Sequence, residues 1–216
     1  TELRDPQNRV TKYTYDAVGN VRSVVDPQGN ATLFEYQATF NRITKFTDAL
    51  NHVTRFTYDA AGNLLTTINP LGHITTITYN QFGQPITVTD SLGNTTTMEY
   101  DVYGNLTVST DPLGSRTLRT YDAVNRLIMI TSPKGKTTSF IYDGRNHVVE
   151  VQNAITGLTR FTYDSKGNLL TATDAKGQTT TYTYDSMDRV ITRKDALNRT
   201  ESYQYDIAGN LTQFTN

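Results

Sequence analysis

Residues 58–79 read YDAAGNLLTTINPLGHITTITY, and this stretch decides the fold because the rest of the chain restates it. Its tyrosine recurs throughout the 216 residues, at intervals of 21 residues except for one interval of 22. Such a fixed period is typical of a tandem repeat rather than of a domain built around one cleft. The repeated tyrosines are Tyr15, Tyr36, Tyr58, Tyr79, Tyr100, Tyr121, Tyr142, Tyr163, Tyr184 and Tyr205.

Each unit carries two turn signals, such as Asp59–Gly62 and Asn69–Gly72. In these turns Asp or Asn is expected to accept hydrogen bonds from backbone donors two and three residues on, and Gly to take a positive φ at the fourth position. The pattern predicts type I turns that close hairpins through a glycine bulge. The repeated tyrosines are therefore predicted to form a structural framework with the glycines of the turns that follow them, namely Gly19, Gly62, Gly83, Gly104, Gly167 and Gly209.

Where the fourth turn position lacks glycine, the substitute should tolerate the left-handed region. Asn or Asp occupies that position at Asn8, Asn51, Asn125, Asn146, Asp188 and Asn198. Thr156 is an exception, and because Gly157 follows it we expect that turn to be reset by one residue. The 22-residue interval places one extra residue in the turn after Tyr36, where a loop can absorb it without a shift of strand register.

Between the turns lie runs of about six residues rich in Thr, Val, Ile, Tyr and Phe, which is typical of strands. The residue two before each tyrosine is apolar or aromatic in nine of ten units, and the residue between them is mainly polar. This alternation predicts one apolar and one polar face. About ten hairpins would make a sheet roughly 95 Å wide, which is too wide to stay flat. We therefore predict an all-β fold of tandem β-hairpin repeats that forms a curved, spiralling antiparallel sheet.

Composition gives little support for other classes of protein. The formal net charge is −1 and 19% of residues are charged, so neither nucleic acid nor membrane insertion is predicted. The chain has no cysteine and no run of the roughly 18 apolar residues that a spanning helix needs. The repeat runs from end to end, so residues 1–216 are interpreted as a single continuous array, and we expect it to be a fragment of a longer protein.

Eight of the ten tyrosines are followed by aspartate, as in Tyr58-Asp59 and Tyr163-Asp164, while Tyr36-Gln37 and Tyr79-Asn80 depart from the pattern. These pairs, in phase with Gly-Asn turns over essentially the whole chain, resemble RHS or YD repeats. The resemblance implies a β-strand shell of the kind found in bacterial polymorphic toxins, in the cocoon of insecticidal toxin complexes and, more distantly, in teneurins. In the bacterial proteins such shells enclose a C-terminal toxin domain.

Three functional hypotheses follow, and the favoured one is a structural shell segment that encapsulates a toxin or effector domain lying outside this chain. The parent protein would then be secreted or displayed at the cell surface. The alternative is an adhesion or carbohydrate-binding module whose aromatic ladder stacks on glycan rings. The third hypothesis, an enzyme, is the least favoured, so neither catalytic activity nor a cofactor is predicted. The exposed edge strands are possible sites of self-association.

Two apparent sites have simpler interpretations. Asp111–Gly114 resembles the Asp-Pro-x-Gly element of the self-cleaving core of bacterial RHS proteins, but it lies in phase with the other turns and is interpreted as an ordinary turn. His52 and His73 occupy equivalent places one unit apart, about 10 Å, which is too far for shared metal ligation. His147 is remote from both, so no metal site is predicted.

Overall fold

The computed structural model describes residues 1–155 and 157–216, which form two compact units, Thr1–Ser115 and Arg116–Asn216. Within the described residues all regular structure is β-strand, so the predicted all-β fold is confirmed. The described chain holds no helix of the length and hydrophobicity needed to cross a lipid bilayer. The one-residue reset predicted at Thr156 lies outside the described residues.

The first unit consists of strands of three to six residues joined by short turns. Their bounds are β1 Glu2–Arg4, β2 Val10–Tyr15, β3 Val21–Val25, β4 Ala31–Tyr36, β5 Ile43–Thr47, β6 Val53–Tyr58, β7 Leu64–Ile68, β8 Ile74–Tyr79, β9 Pro85–Thr89, β10 Thr95–Tyr100 and β11 Leu106–Thr110. Each strand pairs antiparallel with the next along the chain, so the unit is a meander.

The second unit repeats this plan. Its strands are β12 Arg116–Tyr121, β13 Leu127–Thr131, β14 Thr137–Tyr142, β15 Val148–Asn153, β16 Gly157–Tyr163, β17 Leu169–Thr173, β18 Thr179–Tyr184, β19 Val190–Lys194, β20 Thr200–Tyr205 and β21 Leu211–Thr215. Consecutive strands again pair antiparallel.

Two kinds of strand junction alternate. Across the turn that follows each tyrosine the register slips by one residue, so that Thr57 pairs with Thr66 but Tyr58 pairs with Leu64, leaving Leu65 as the extra residue of a β-bulge. Across the other turn the ladder is regular and short, as in the pairs Thr66–Thr76 to Ile68–Ile74. The glycine-containing turns close hairpins at both kinds of junction, as predicted: the N–H of Asp59 donates to the carbonyl of Asn63, and the N–H of Asn69 donates to that of His73. The bulge at Leu65 is an additional feature of the junction after the tyrosine.

The extra residue of the 22-residue interval leaves the register unchanged, as predicted. Tyr36 pairs with Ile43 and Glu35 with Lys45, which is the same bulged arrangement as in the neighbouring hairpin. The additional residue therefore lies in the loop, and β5 begins at the equivalent position of its strand.

The sheet of each unit has two different faces. In β4 the exposure alternates, with Phe34 and Tyr36 half-buried and Leu33 and Glu35 exposed, as the period-two pattern predicts. Packing is shallow, however, because a single layer has no second sheet to cover it. Among the described residues only Thr47, Gly62 and Val108 are buried, with Val108 at 9% and Thr47 at 8% exposure. Stability must therefore come largely from hydrogen bonding and from contacts between neighbouring strands.

Candidate functional site

The turn that follows each tyrosine is built around one carboxylate. In the turn after Tyr58, Asp59 Oδ1 accepts hydrogen bonds from the backbone N–H groups of Ala61 at 2.9 Å and Asn63 at 2.8 Å. The backbone N–H of Gly62 donates instead to the main-chain carbonyl of Asp59, at 3.1 Å. Asp59 thus accepts from the predicted donors two and three residues on, the first through its side chain and the second through its main-chain carbonyl, and its side chain accepts a further donor four residues on. The carboxylate reaches four residues on because the glycine, with φ 86°, turns the next N–H back toward it.

The second carboxylate oxygen binds the side chain of the residue that ends the turn. Asn63 Nδ2 donates to Asp59 Oδ2 at 2.9 Å, and this bond, followed by the backbone bond from Asn63, lowers the pKa of Asp59 below its usual 3.8. The same amide side-chain bond is the main cause of a lowered pKa at Asp16, Asp26, Asp90, Asp101, Asp164 and Asp206. Each of these turns satisfies its own polar groups.

The left-handed positions are occupied as the sequence predicts. The six tyrosine-following glycines of the predicted framework have φ between 77° and 97°. The Asn and Asp substitutes, from Asn8 to Asn198, have φ between 60° and 69°. Asn41, with φ 51°, joins them and takes this role in the lengthened turn.

The tyrosine hydroxyl makes a contact that the sequence analysis missed. Tyr58 Oη donates to the backbone carbonyl of Ile43, 15 residues earlier, at 2.8 Å. We call this bond the tyrosine clasp. The same clasp, at 2.7 to 3.0 Å, joins Tyr36 to Val21, Tyr79 to Leu64, Tyr100 to Pro85, Tyr142 to Leu127, Tyr163 to Val148, Tyr184 to Leu169 and Tyr205 to Val190.

The clasp closes a gap that the bulge creates. The regular ladder between β5 and β6 runs only from Lys45–Arg55 to Thr47–Val53, so the carbonyl of Ile43 lies beyond its last pair. A backbone carbonyl without a partner is costly when water is excluded, and the hydroxyl of Tyr58 supplies the missing donor. Phenylalanine could not do so, which explains why the sequence repeats tyrosine rather than any aromatic residue. Tyr15, 45% exposed, makes no clasp within the described chain.

A second set of contacts links successive turns. Arg126 donates from Nε to Asp122 Oδ2 at 2.7 Å and from Nη1 to Asn146 Oδ1 at 2.8 Å in the next such turn, and its guanidinium lies 4.7 Å from the ring centre of Tyr142. His147 plays a related part, since it binds Asp143 at 3.0 Å and stacks on the Tyr163 ring at 4.7 Å. These side chains cover the tyrosine rings.

The polar face carries rows of paired threonines. Hydroxyls of adjacent strands lie 2.5 to 2.7 Å apart in four such pairs, Thr57–Thr66, Thr78–Thr87, Thr162–Thr171 and Thr183–Thr192. Each pair lies directly opposite across an antiparallel ladder, where hydroxyl contacts stabilise the sheet modestly. Elsewhere the same face carries oppositely charged pairs across adjacent strands, such as Glu35–Lys45 at 2.8 Å and Glu150–Arg160 at 2.9 Å.

The residues weighed as catalytic or metal-binding candidates lie within ordinary turns. Asp111 Oδ1 accepts from Leu113 at 2.9 Å and from Ser115 at 2.8 Å, which confirms the interpretation as a turn. His52 Nδ1 contacts Asp48 Oδ2 at 2.9 Å, and His73 Nδ1 contacts Asn69 Nδ2 at 3.4 Å. Over residues 1–155 and 157–216 no group of three or more His, Cys, Asp or Glu side chains could hold a metal ion.

Several solved structures share this fold. The chain superimposes on TcdB2-TccC3-Cdc42 with a TM-score of 0.63 and 17% identity, over 95% of this chain and 14% of that one. It matches the Photorhabdus luminescens Tc holotoxin pore carrying a TccC3 mutation with a TM-score of 0.66 and 17% identity, over 100% of this chain and 14% of that one. The chain thus spans about a seventh of the length of these proteins, and the likeness establishes the fold.

No curated protein matches the chain significantly. The family of RHS repeats matches it in seven stretches, at residues 1–31, 15–45, 39–76, 79–116, 121–154, 142–179 and 163–200. These stretches cover most of the chain and contain the tyrosine clasps and turns described above, except for Tyr205 and the turn that follows it. The chain belongs to the RHS repeat family.

Proposed function

We propose that residues 1–216 act as a single continuous array that forms a curved wall, a segment of a shell that encloses a toxin or effector domain encoded elsewhere in the same protein. The observation that carries the proposal is the repetition of one hydrogen-bonding unit along the chain, which is self-satisfied in the tyrosine-following turns that begin with Asp or Asn. Turns of Asp and Asn close each hairpin, tyrosine clasps join neighbouring hairpins, and the framework tyrosines and glycines act as structural residues. An array of similar small repeats is suited to forming a wall, whereas a catalytic centre needs a cleft that brings different chemical groups together.

The polar face, with its threonine pairs, supports the same proposal. Paired hydroxyls already satisfy one another, and the charges of Glu35 with Lys45 and of Glu150 with Arg160 neutralise each other across adjacent strands, which leaves little that would hold a passing polypeptide tightly. Such a surface suits the inside of a chamber, because an enclosed domain must be released again. The fold shared with Tc toxin components also supports this role, and it favours a parent protein that is secreted or displayed at the cell surface.

The outermost strands suggest how the chain would behave on its own. All five residues of β21 and all three of β1 are exposed. Exposed strands at the edge of a sheet offer unpaired backbone groups to other strands, so we propose that the isolated chain self-associates through them unless flanking sequence covers them.

Protease protection of the complete gene product would test encapsulation. The whole protein and its C-terminal domain alone should be digested side by side with proteinase K. If the array encloses that domain, the domain should survive in the whole protein and be degraded when alone. Equal digestion rates in the two samples would contradict the proposal, while a native gel of the 216-residue chain at several concentrations would test edge association separately.

A further inference from the structure

The turn between β4 and β5 differs from the other turns that follow a tyrosine. It spans six residues, Gln37–Arg42, and is closed by a bond from the N–H of Gln37 to the carbonyl of Arg42 at 2.9 Å. Its first residue is Gln37, where the other such turns carry Asp or Asn. The Nε2 atom of Gln37 is buried and has no hydrogen-bond partner in the described structure. This turn is therefore not self-satisfied as the others are.

The loss of the aspartate leaves an arginine without its usual partner. Arg126 and Arg189, which end equivalent turns, bind the aspartates that begin them, each at 2.7 Å. Arg42 ends its turn in the same way, yet no carboxylate of the described residues lies within ion-pair distance of it. Its guanidinium lies instead near two rings, 6.0 Å from the centre of Phe40 and 5.7 Å from that of Tyr58. The positive charge is positioned but not neutralised.

Beside this arginine the apolar face has a shallow depression of about 590 Å³. Its volume lies within the range of small-molecule sites. Its lining consists of Tyr36, Asn41, Arg42, Ile43, Phe46, Phe56 and Tyr58. Four of these residues are aromatic and half-buried, so the floor is apolar while the loop contributes one cation and one amide.

The next turn accommodates the loop at Gly62. A Cβ atom at this glycine would lie 3.1 Å from Cδ2 of Phe40 and 3.2 Å from Nε of Arg42. At Gly19, which has an equivalent place and a similar φ, a Cβ would meet no heavy atom within 4 Å. The absence of a side chain at Gly62 thus permits the approach of Phe40 and Arg42.

We propose that this depression binds a carboxylate-bearing pyranose, such as a uronic acid residue of a polysaccharide. The aromatic floor offers a surface on which the C–H face of a sugar ring can stack. Arg42 offers the planar pair of N–H donors that matches a carboxylate, and an arginine without a protein carboxylate is free to take one from a ligand. This binding is independent of the proposed shell function, since it uses the apolar face of a single hairpin junction.

Titration of the complete 216-residue chain with two sugars tests the proposal directly. D-Glucuronic acid and the uncharged D-glucuronamide should be followed by NMR at the ring signals of Tyr36, Phe46, Phe56 and Tyr58. We expect the acid to bind at least about tenfold more tightly than the amide, since only the acid forms a charge-assisted pair. Absence of saturable shifts up to about 20 mM acid, or equal affinity for the two sugars, would overturn the proposal.

Two matched pairs of variants locate the site. Arg42→Gln should weaken acid binding about tenfold or more, whereas Arg126→Gln, which removes the equivalent but neutralised arginine, should leave it unchanged. Gly62→Ala should also weaken binding by displacing Arg42, whereas Gly19→Ala should not. Circular dichroism checks that each variant is folded. Retained binding in Arg42→Gln, or an equal loss in Arg126→Gln, would reject this site, and the acid–amide comparison tests the proposal even if a variant unfolds.

Discussion

Two turns of this protein place an arginine at the same structural position, but only one of the two arginines is paired with a carboxylate. In the second unit, Asp122 begins a turn and Arg126 ends it, with 2.7 Å between the guanidinium and the carboxylate. In the first unit, Gln37 and Arg42 occupy those positions in a turn longer by one residue, and Arg42 has no carboxylate partner within the described chain. Both arginines lie near the tyrosine that follows, Tyr142 or Tyr58.

The comparison separates two functions of the aspartate. It closes the turn by accepting backbone hydrogen bonds, and it neutralises the cation that covers the tyrosine ring. Where Gln37 replaces it, the bulge and the register are preserved, so the aspartate is not needed to specify the fold locally. What changes is the exposed positive charge of Arg42, which no aspartate neutralises. For this reason the Gln37–Arg42 turn, rather than a turn that begins with aspartate, is our candidate binding site.

Acidification should have the largest effect, because it acts on all the turn aspartates together. Backbone donation from Arg126, followed by its side-chain bond, lowers the pKa of Asp122 below the usual 3.8. A carboxyl with a lowered folded pKa stabilises the fold above its unfolded pKa and loses that contribution as the pH falls through the folded value. The melting temperature should therefore fall steeply below about pH 4. Circular dichroism melts across this range measure it, and a constant melting temperature down to pH 2 would contradict it.

Removing a single turn aspartate should have the next largest effect. Asp122→Ala deletes acceptors for Val124, for the backbone of Arg126 and for its guanidinium, at 3.0, 2.9 and 2.7 Å. We expect the melting temperature to drop by about 4 °C, whereas Gln37→Ala should change it by about 1 °C or less. Equal losses in the two variants would mean that the turns do not differ as described. Amide exchange at Val124 and Arg126 would show whether the loss is local.

Loss of one tyrosine hydroxyl should have the smallest effect, and an equal one in the two turns. Tyr142→Phe and Tyr58→Phe each remove a clasp, of 2.7 and 2.8 Å, and each should cost about 1 kcal/mol of unfolding free energy. Tyr15→Phe is the control, because Tyr15 makes no clasp in the described chain. Urea denaturation gives the comparison. A larger cost at Tyr142 than at Tyr58 would show that the arginine–aspartate pair reinforces the clasp.

The sequence predicts the hairpins, the positive φ positions and the tolerance of the extra residue, because these depend on local backbone sterics. Asn125 and Asp188 stand where glycine is expected, and both adopt the left-handed conformation. The tyrosine clasp was missed because the aromatic ring alone accounts for the apolar pattern. The signal was present in the repetition of Tyr where Phe would pack equally well, but the acceptor is a backbone carbonyl, which no sequence displays.

The candidate binding site was only partly predictable. A departure at Tyr36-Gln37 and the longer interval are visible in the sequence, and so is the aromatic ladder. That Arg42 would lie near Tyr58 without a carboxylate partner depends on the course of the longer loop, and on the space left by Gly62 in the next hairpin. Contacts of this kind between neighbouring hairpins can be seen only in the three-dimensional structure.

The tyrosine clasp spans 15 residues wherever it is found, and the ladders within each unit join only consecutive strands. No contact of this type depends on how many hairpins precede or follow it. In-frame recombination can therefore add or remove segments of 21 codons, and the contacts between the remaining hairpins stay the same. Natural variants of the parent gene should consequently differ in length by whole segments more often than by fractions of one.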